Sequence, residues 1–316
     1  MQSPFVLNAT ATECSSQSVT SIGYALDGGT PAPVAGATLS LHVTAAPGAH
    51  TLHVQTWGGN GDTCDTKVAI TVAALPAPVT PNPGTLASSG PAIPASAVVM
   101  TGIQSLNTWQ AEHDDASGDG TSTGATGLAA TPSQSGMARS FTTSYTNYGG
   151  ERYHVAFATD PSATNFLYDA WVYVASPSDG IANLEFDMNQ VLANGQTVIF
   201  GFQCDGYSGT WDYTENAGSP TAYVDRWLHS AAACNPRDWS TDTWHHIQVT
   251  YSRDDGGNVN YQSVWFDGTE QEIHATVPSA FALGWNSVLL TNFQVDGVGS
   301  AGSSEVYIDN LTVARW

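Results

Sequence analysis

Apolar and polar residues alternate with a period of two through most of this chain. In residues 183–190, Leu184, Phe186 and Met188 fall on one side of an extended backbone. Glu185, Asp187 and Asn189 fall on the other. Similar alternation marks residues 139–145, 153–158, 166–174, 197–204, 210–214, 245–252, 259–266, 288–295 and 305–313. Amphipathic runs of helical length are almost absent. Shorter strands are predicted at 5–12, 18–26, 38–43, 50–56 and 67–72, with Gly-, Pro- and Asn-containing turns between them. The pattern predicts an all-β protein: a small sandwich in residues 1–75 and a larger one in residues 99–316. Between them, residues 76–98 begin Pro76-Ala77-Pro78-Val79-Thr80-Pro81-Asn82-Pro83 and read as an extended, semi-rigid linker.

Composition supports this division. The chain has 316 residues, comfortable for two domains, and 41% of them are apolar, enough for two cores. The 31 Gly and 16 Pro, with only 11% charged residues, suit a protein rich in turns. Charge narrows the partners. Seven basic residues stand against 28 acidic ones, a net charge of −21. Such a surface repels nucleic-acid backbones and anionic membranes. It also has little Lys or Arg to hold a polyanionic glycan. Neutral ligands and cations remain. No apolar run reaches membrane-spanning length, so membrane insertion is not expected.

Four cysteines fall into two regional pairs, Cys14 with Cys64 and Cys204 with Cys234. They predict two disulfides within domains and an oxidising compartment, hence a secreted or cell-surface protein. Residues 1–12 lack a basic start and a long apolar stretch, so a secreted form would have lost its leader already. None of the cysteines has CxxC spacing, and no HxxxH, HExxH or P-loop pattern occurs.

Two resemblances add to this reading. Ile22-Gly23-Tyr24-Ala25-Leu26-Asp27-Gly28, with Gly48-Ala49-His50-Thr51-Leu52-His53-Val54, resembles bacterial immunoglobulin-like modules. That likeness implies a spacer, or a module that docks to a cell surface or a multidomain assembly. Residues 243–251 (Thr-Trp-His-His-Ile-Gln-Val-Thr-Tyr), Val264-Trp265-Phe266-Asp267-Gly268 and residues 306–313 resemble the concanavalin A-like lectin/glucanase superfamily and its laminin-G-like members. The resemblance covers residues 100–316 and implies a jelly-roll sandwich.

Glu185-x-Asp187-x-x-Gln190 is similar to the ExDxxE signature of the laminarinase-like hydrolases of that superfamily. The likeness implies Glu185 as nucleophile and Asp187 as its tuning partner. The acid/base position, however, holds Gln190, which has no carboxyl proton to donate. Binding without cleavage is therefore the first expectation. If the polar phases of several strands line one concave sheet, its ligand-binding residues are Trp171, Glu185, Asp187, Asn189, Gln190, Gln203, His246, Gln248, Asn292 and Gln294. Trp211 and Tyr213 join them from an aromatic loop at 204–239. Planar amides and carboxylates bond sugar hydroxyls, and aromatic rings stack on sugar C–H faces. A solvated outer face would share this polarity, and the loop aromatics suit a local core equally well. The acidic turn at 113–120 offers oxygen ligands, and the jelly-roll resemblance implies a structural Ca²⁺ held by Glu112 or Asp114 with Asp309. No cofactor is otherwise required. The expected function is extracellular binding of a neutral polysaccharide. Alternatives are a glycoside hydrolase acting on a β-glucan-type polymer through Glu185 and Asp187, and a structural or adhesive surface protein.

Overall fold

A computed structural model describes residues 1, 3, 5–74, 90–114 and 120–316. The Pro-rich stretch 75–89 and most of the acidic turn, 115–119, lie outside the described residues. The chain forms two compact units, Met1–Leu75 and Pro76–Trp316.

The first unit contains β1 (Phe5–Thr10), β2 (Glu13–Cys14), β3 (Gln17–Leu26), β4 (Val34–Ala35), β5 (Thr38–Val43), β6 (Gly48–Gly58) and β7 (Thr63–Val72). One sheet pairs β1 with β5; the other runs β2-β3-β6-β7, with β4 on β3. Alternate residues Phe5, Leu7, Ile22, Leu39, Val43, Leu52, Ile70 and Val72 form its core. A disulfide between Cys14 and Cys64 ties β2 to β7.

The second unit continues with β8 (Val98–Met100), β9 (Gln110–His113), β10 (Thr121–Ala129), β11 (Ala138–Thr146), β12 (Gly150–Ala158), β13 (Asn165–Val174), β14 (Ile181–Val191), β15 (Gln196–Phe200) and β16 (Phe202–Asp205). It closes with β17 (Thr210–Asn216), β18 (Asp225–Ala233), β19 (Trp244–Arg253), β20 (Asn258–Phe266), β21 (Thr269–Pro278), β22 (Phe281–Ala282), β23 (Leu289–Gly297) and β24 (Gly302–Arg315). An eight-stranded sheet runs β10-β11-β24-β13-β19-β20-β21, with β8 on β24. A nine-stranded sheet runs β18-β17-β16-β14-β23-β12-β9, with β15 on β14 and β22 on β15. The architecture is an all-β sandwich of antiparallel sheets.

The two sheets meet through their apolar faces. Phe141 of β11 lies 4.8 Å from Phe293 of β23, and Phe166 of β13 lies 5.1 Å from Phe200 of β15, ring centre to ring centre. Burying each such side chain stabilises the fold by about 1.5–3 kcal/mol. Leu184, Phe186 and Met188 point into this core, the phase their alternation predicts.

Three local expectations change. Residues 197–204 form two strands rather than one, broken at Gly201, where a Cβ would come within 2.5 Å of the Thr214 side chain. Most of the stretch read as an aromatic loop at 204–239 is a strand meander, β16-β17-β18, that extends the nine-stranded sheet. The end of the presumed linker packs on the eight-stranded sheet, because Ile93 contacts the buried cluster Val99, Leu167 and Ala314.

Candidate functional site

Antiparallel register brings polar side chains into a row across the nine-stranded sheet. Glu112, Arg152, Gln294, Glu185, Gln203, Asp212 and His229 are successive cross-strand partners on β9, β12, β23, β14, β16, β17 and β18. A second row sets Gln110, His154, Asn292 and Asp187 side by side. Neighbouring residues Tyr153, Val155, Phe186, Phe293 and Val295 fill the core, so both rows face away from it. Outward-facing residues are normally wet, yet Glu185 is 7% exposed, Gln203 4% and Gln294 6%. The face is therefore recessed, and its side chains pack on one another.

Carboxyl groups crowd the middle of the first row. The Gln294 Nε2 group donates to Glu185 Oε1 at 3.0 Å and to Asp296 Oδ1 at 3.0 Å, and reaches Asp114 Oδ2 at 3.3 Å. Glu185 and Asp296 also hydrogen-bond to each other. Burial, and then the charges of Asp296, Asp187 and Asp114, hold the Glu185 carboxyl well above the usual carboxylate range. The shift favours the protonated form of Glu185, the partner in that hydrogen bond whose carboxyl is raised further. Burial and the charge of Asp114 push Asp296 up to about 6. Asp187 is pushed up to about 8, chiefly by burial, although its Oδ1 accepts the Phe202 N–H at 2.9 Å. Burial also raises Asp225. Arg152 is the cation of the row. Burial opposes its charge, but Glu112, Asp114 and Glu185 outweigh that and raise its pKa. It bonds Glu112 Oε2 at 3.0 Å.

Five of the expected binding residues with clear outward phase, Glu185, Asp187, Gln203, Asn292 and Gln294, come together here. Asn189 shares the face, 5% exposed, with no partner for its Oδ1. Others do not belong. Gln190 lies on the core side of β14, since pairing with β23 continues without a bulge from Asn183 to Gln190 and parity decides its direction. Its Nε2 donates to the Asp160 and Ala163 carbonyls at 2.8 and 2.9 Å, and its Oε1 accepts from Arg253 Nε at 2.6 Å. Trp211 is wholly buried in the sandwich core, stacked on Phe202, and Tyr213 packs against the same core. Trp171, His246 and Gln248 sit on β13 and β19 of the other sheet, so they cannot share a face with Glu185. There Asp169 accepts from Gln248 Nε2 at 2.8 Å and lies 2.8 Å from His246 Nε2, while Trp171 stacks on the His246 ring.

Sequence reasoning passed over Arg152 and His154, which alternate with Tyr153, Val155 and Phe157 and so could have been found by the same period. Asp296 has the same phase as Asn292 and Gln294, so the same period finds it as well.

The expected calcium set is not assembled. Asp309 belongs to β24 of the eight-stranded sheet, whereas Glu112 lies on β9 of the other and bonds Arg152. The Asp309 carboxylate accepts from Gln104, Ser133, Ser135 and the Gln134, Ser135 and Asn310 amides. Among the described residues, Asp205, Asp212 and His229 form a group whose ligand atoms all lie within 4.8 Å of one another. Asp212 also accepts from Ser208 and Thr210. The second disulfide, Cys204–Cys234, lies beside this group and closes the β16-β17-β18 meander.

No family model matches the sequence, and neither does any curated protein. Several solved structures are similar in shape. One, described as carbohydrate-binding modules of the β-sandwich superfamily, has 11% identity, covers 98% of this chain and 92% of its own, and scores a TM-score of 0.33. The cellulose-induced protein Cip1 has 13% identity, 65% and 90% coverage and a TM-score of 0.38. Peanut lectin has 11% identity, 66% and 98% coverage and a TM-score of 0.30. At these values the functional reading rests on the site itself.

Proposed function

We propose that the second unit binds a neutral polysaccharide outside the cell along the recessed polar face of its nine-stranded sheet. The observation that carries this reading is the recessed row itself, in which carboxyl and amide side chains sit side by side, nearly buried, on the face away from the core. Asp187, pushed up to about 8, holds its proton at neutral pH, and burial among acids favours the protonated form of Glu185 as well, so both can donate as well as accept hydrogen bonds. Together with Gln203, Asn292 and Gln294 they offer a hydroxyl-rich ligand both kinds of partner at little cost in charge. A polyanion would meet Asp114, Asp296 and Glu112 around the single arginine of the described row, Arg152. The two disulfides fit an oxidising, extracellular setting.

The test is affinity electrophoresis against β-glucan, xylan, mannan and cellulose derivatives, with alginate and polygalacturonate as charged controls. Retardation by a neutral polymer is expected, and a combined Asn292→Ala, Gln294→Ala variant should lose at least tenfold in affinity. No retardation by any neutral polymer, or equal retardation of the variant, would reject the proposal.

One observation favours hydrolysis as a second reading: a carboxyl that stays protonated at neutral pH suits a general acid. A cleaving pair, however, flanks the glycosidic bond at roughly 5–5.5 Å or 6.5–9.5 Å. Glu185 and Asp296 are in direct hydrogen bond, too close for that role. Release of reducing ends, lost in Glu185→Gln and Asp187→Asn, would establish this reading. Reducing ends that persist in both variants would remove the strand from catalysis.

A further inference from the structure

The polar face ends in a third row, in which Gly150, Asp296, Asn183 and Asp205 are successive partners on β12, β23, β14 and β16. Just beyond it, two turns each present a tyrosine. Tyr148 lies two residues before Gly150, in the turn between β11 and β12. Tyr207 lies two residues after Asp205, in the turn between β16 and β17. Tyr148 is 54% exposed and Tyr207 57%. The ring centres lie 6.4 Å apart and the ring planes are inclined at 49°. Neither packs in the core, so neither ring is there to stabilise the sandwich.

Both turns hold their tyrosine in place. Asn147 and Tyr148 have φ values of 50° and 67°, the left-handed region that a bulky side chain rarely enters. Such strain persists where surrounding structure imposes it and tends to collect at functional sites. Gly299 makes room for the ring, since a Cβ there would lie 2.7 Å from Tyr148 Cζ. The Tyr207 backbone N–H donates to Asp205 Oδ1 at 2.8 Å. The Arg237 guanidinium covers the Tyr207 ring at 5.8 Å and is itself tied to the Gly206 carbonyl and to Asn235 Oδ1. Tyr207 follows Asp205, a member of the third row, by two residues, which sets its turn at the end of the carboxyl row.

We infer that Tyr148 and Tyr207 form an aromatic subsite at the end of the polar face, where one pyranose ring of a neutral chain stacks while its neighbours bond Glu185, Gln294 and Asn292. The inference rests on the proposed polysaccharide binding. It also commits the ligand to a direction: the chain runs along the strands, out past Asn183, toward the two turns. An exposed ring with its edge anchored offers an apolar face to sugar C–H groups at little loss of side-chain freedom. The surrounding acids disfavour an anionic occupant, and the continuity of the three rows with the tyrosines disfavours an unrelated one.

Isothermal titration with cello-, xylo- and manno-oligosaccharides of two to six units tests this. In the series that binds, Tyr148→Ala and Tyr207→Ala should each weaken the hexasaccharide about fivefold to tenfold. The disaccharide, which fits within the polar rows, should change less than twofold. Tyr148→Phe and Tyr207→Phe should bind like the parent. Tyr148→Gly relieves the left-handed turn, so it should melt no lower than the parent while losing the long-chain affinity. An unchanged hexasaccharide affinity in the double alanine variant, with binding still lost in Asn292→Ala, Gln294→Ala, would overturn the subsite and leave the polar face standing. Absence of binding by the parent protein to every series and its polymer would overturn both.

Discussion

Two buried carboxyl groups in the second unit have opposite surroundings. Asp309, on the eight-stranded sheet, is fully buried and accepts hydrogen bonds from side chains and amides on every side. Burial alone would raise its pKa, but the donors of Ser135, Ser133 and Gln134 outweigh burial and lower it. Glu185, on the nine-stranded sheet, meets mainly other acids and has its pKa raised. Asp169 is likewise matched to donors, accepting from Gln248 Nε2 and lying against His246 Nε2. Where each acceptor has its donor, the cluster does structural work: it satisfies the backbone and joins elements. Where acids face acids in a recess, the arrangement costs stability at neutral pH, and a ligand is the natural complement.

This contrast can be broken most sharply at Asp309. Asp309→Ala leaves several buried donors without an acceptor and should cost about 3 kcal/mol or more. Urea denaturation at neutral pH measures it, and a loss below about 1 kcal/mol would contradict the structural assignment.

The next effect is the pH dependence of stability. In the unfolded chain Asp187 releases its proton near the usual carboxylate value, whereas in the folded protein it holds it to about 8. Between those limits the folded state binds more protons, so stability falls as pH rises and levels off above pH 8. The fall should be about 4 kcal/mol between pH 5 and pH 8 and should shrink in Asp187→Asn. Asp309 acts in the opposite sense. Its folded pKa is depressed, so its contribution is present above the unfolded value and is lost as pH falls through the folded one. Melting temperatures across the range, for parent and both variants, separate the two groups. A parent profile that rises from pH 5 to pH 8 would show that the row is ionised in the folded state.

A smaller effect is expected at Gln190→Glu. It restores the acid that the hydrolase-like pattern lacks, but on the core side, between Arg253 and two carbonyls. It should release no reducing ends and should cost about 1 kcal/mol, because the carboxylate gains Arg253 but no longer donates to the carbonyls. Cleavage by this variant would reverse the orientation assigned to the strand. The smallest change is expected from Trp171→Ala, which should leave polysaccharide retention unaltered because the residue lies on the opposite sheet.

The sequence carried the local half of this picture. Period-two alternation placed Glu185 and Asp187 opposite Phe186, and Gln294 opposite Phe293, because side-chain direction depends only on the strand itself. The same rule placed Gln190 with Phe186 and Met188; a six-residue pattern borrowed from a family had set it on the other face. What alternation does not contain is sheet membership. His246 and Gln248 have the same polar phase as Asn292 and Gln294, yet β19 and β23 lie in different sheets, a matter of long-range pairing. Trp211 and Tyr213 show a related limit. An aromatic-rich stretch suits a sugar-facing loop and a local core equally, and Trp211 and Tyr213 alternate with Asp212 in a strand and close the sandwich core.

The break at Gly201 gives the recessed face a natural reporter. Because β15 ends and β16 begins around that glycine, the Phe202 amide proton is held by a carboxyl group, Asp187 Oδ1. A single backbone resonance in a nitrogen–proton correlation spectrum should therefore follow the titration of that carboxyl through mildly alkaline pH. The same resonance should shift when a sugar hydroxyl competes for the oxygen, so that occupancy of the face can be read without a label on the ligand.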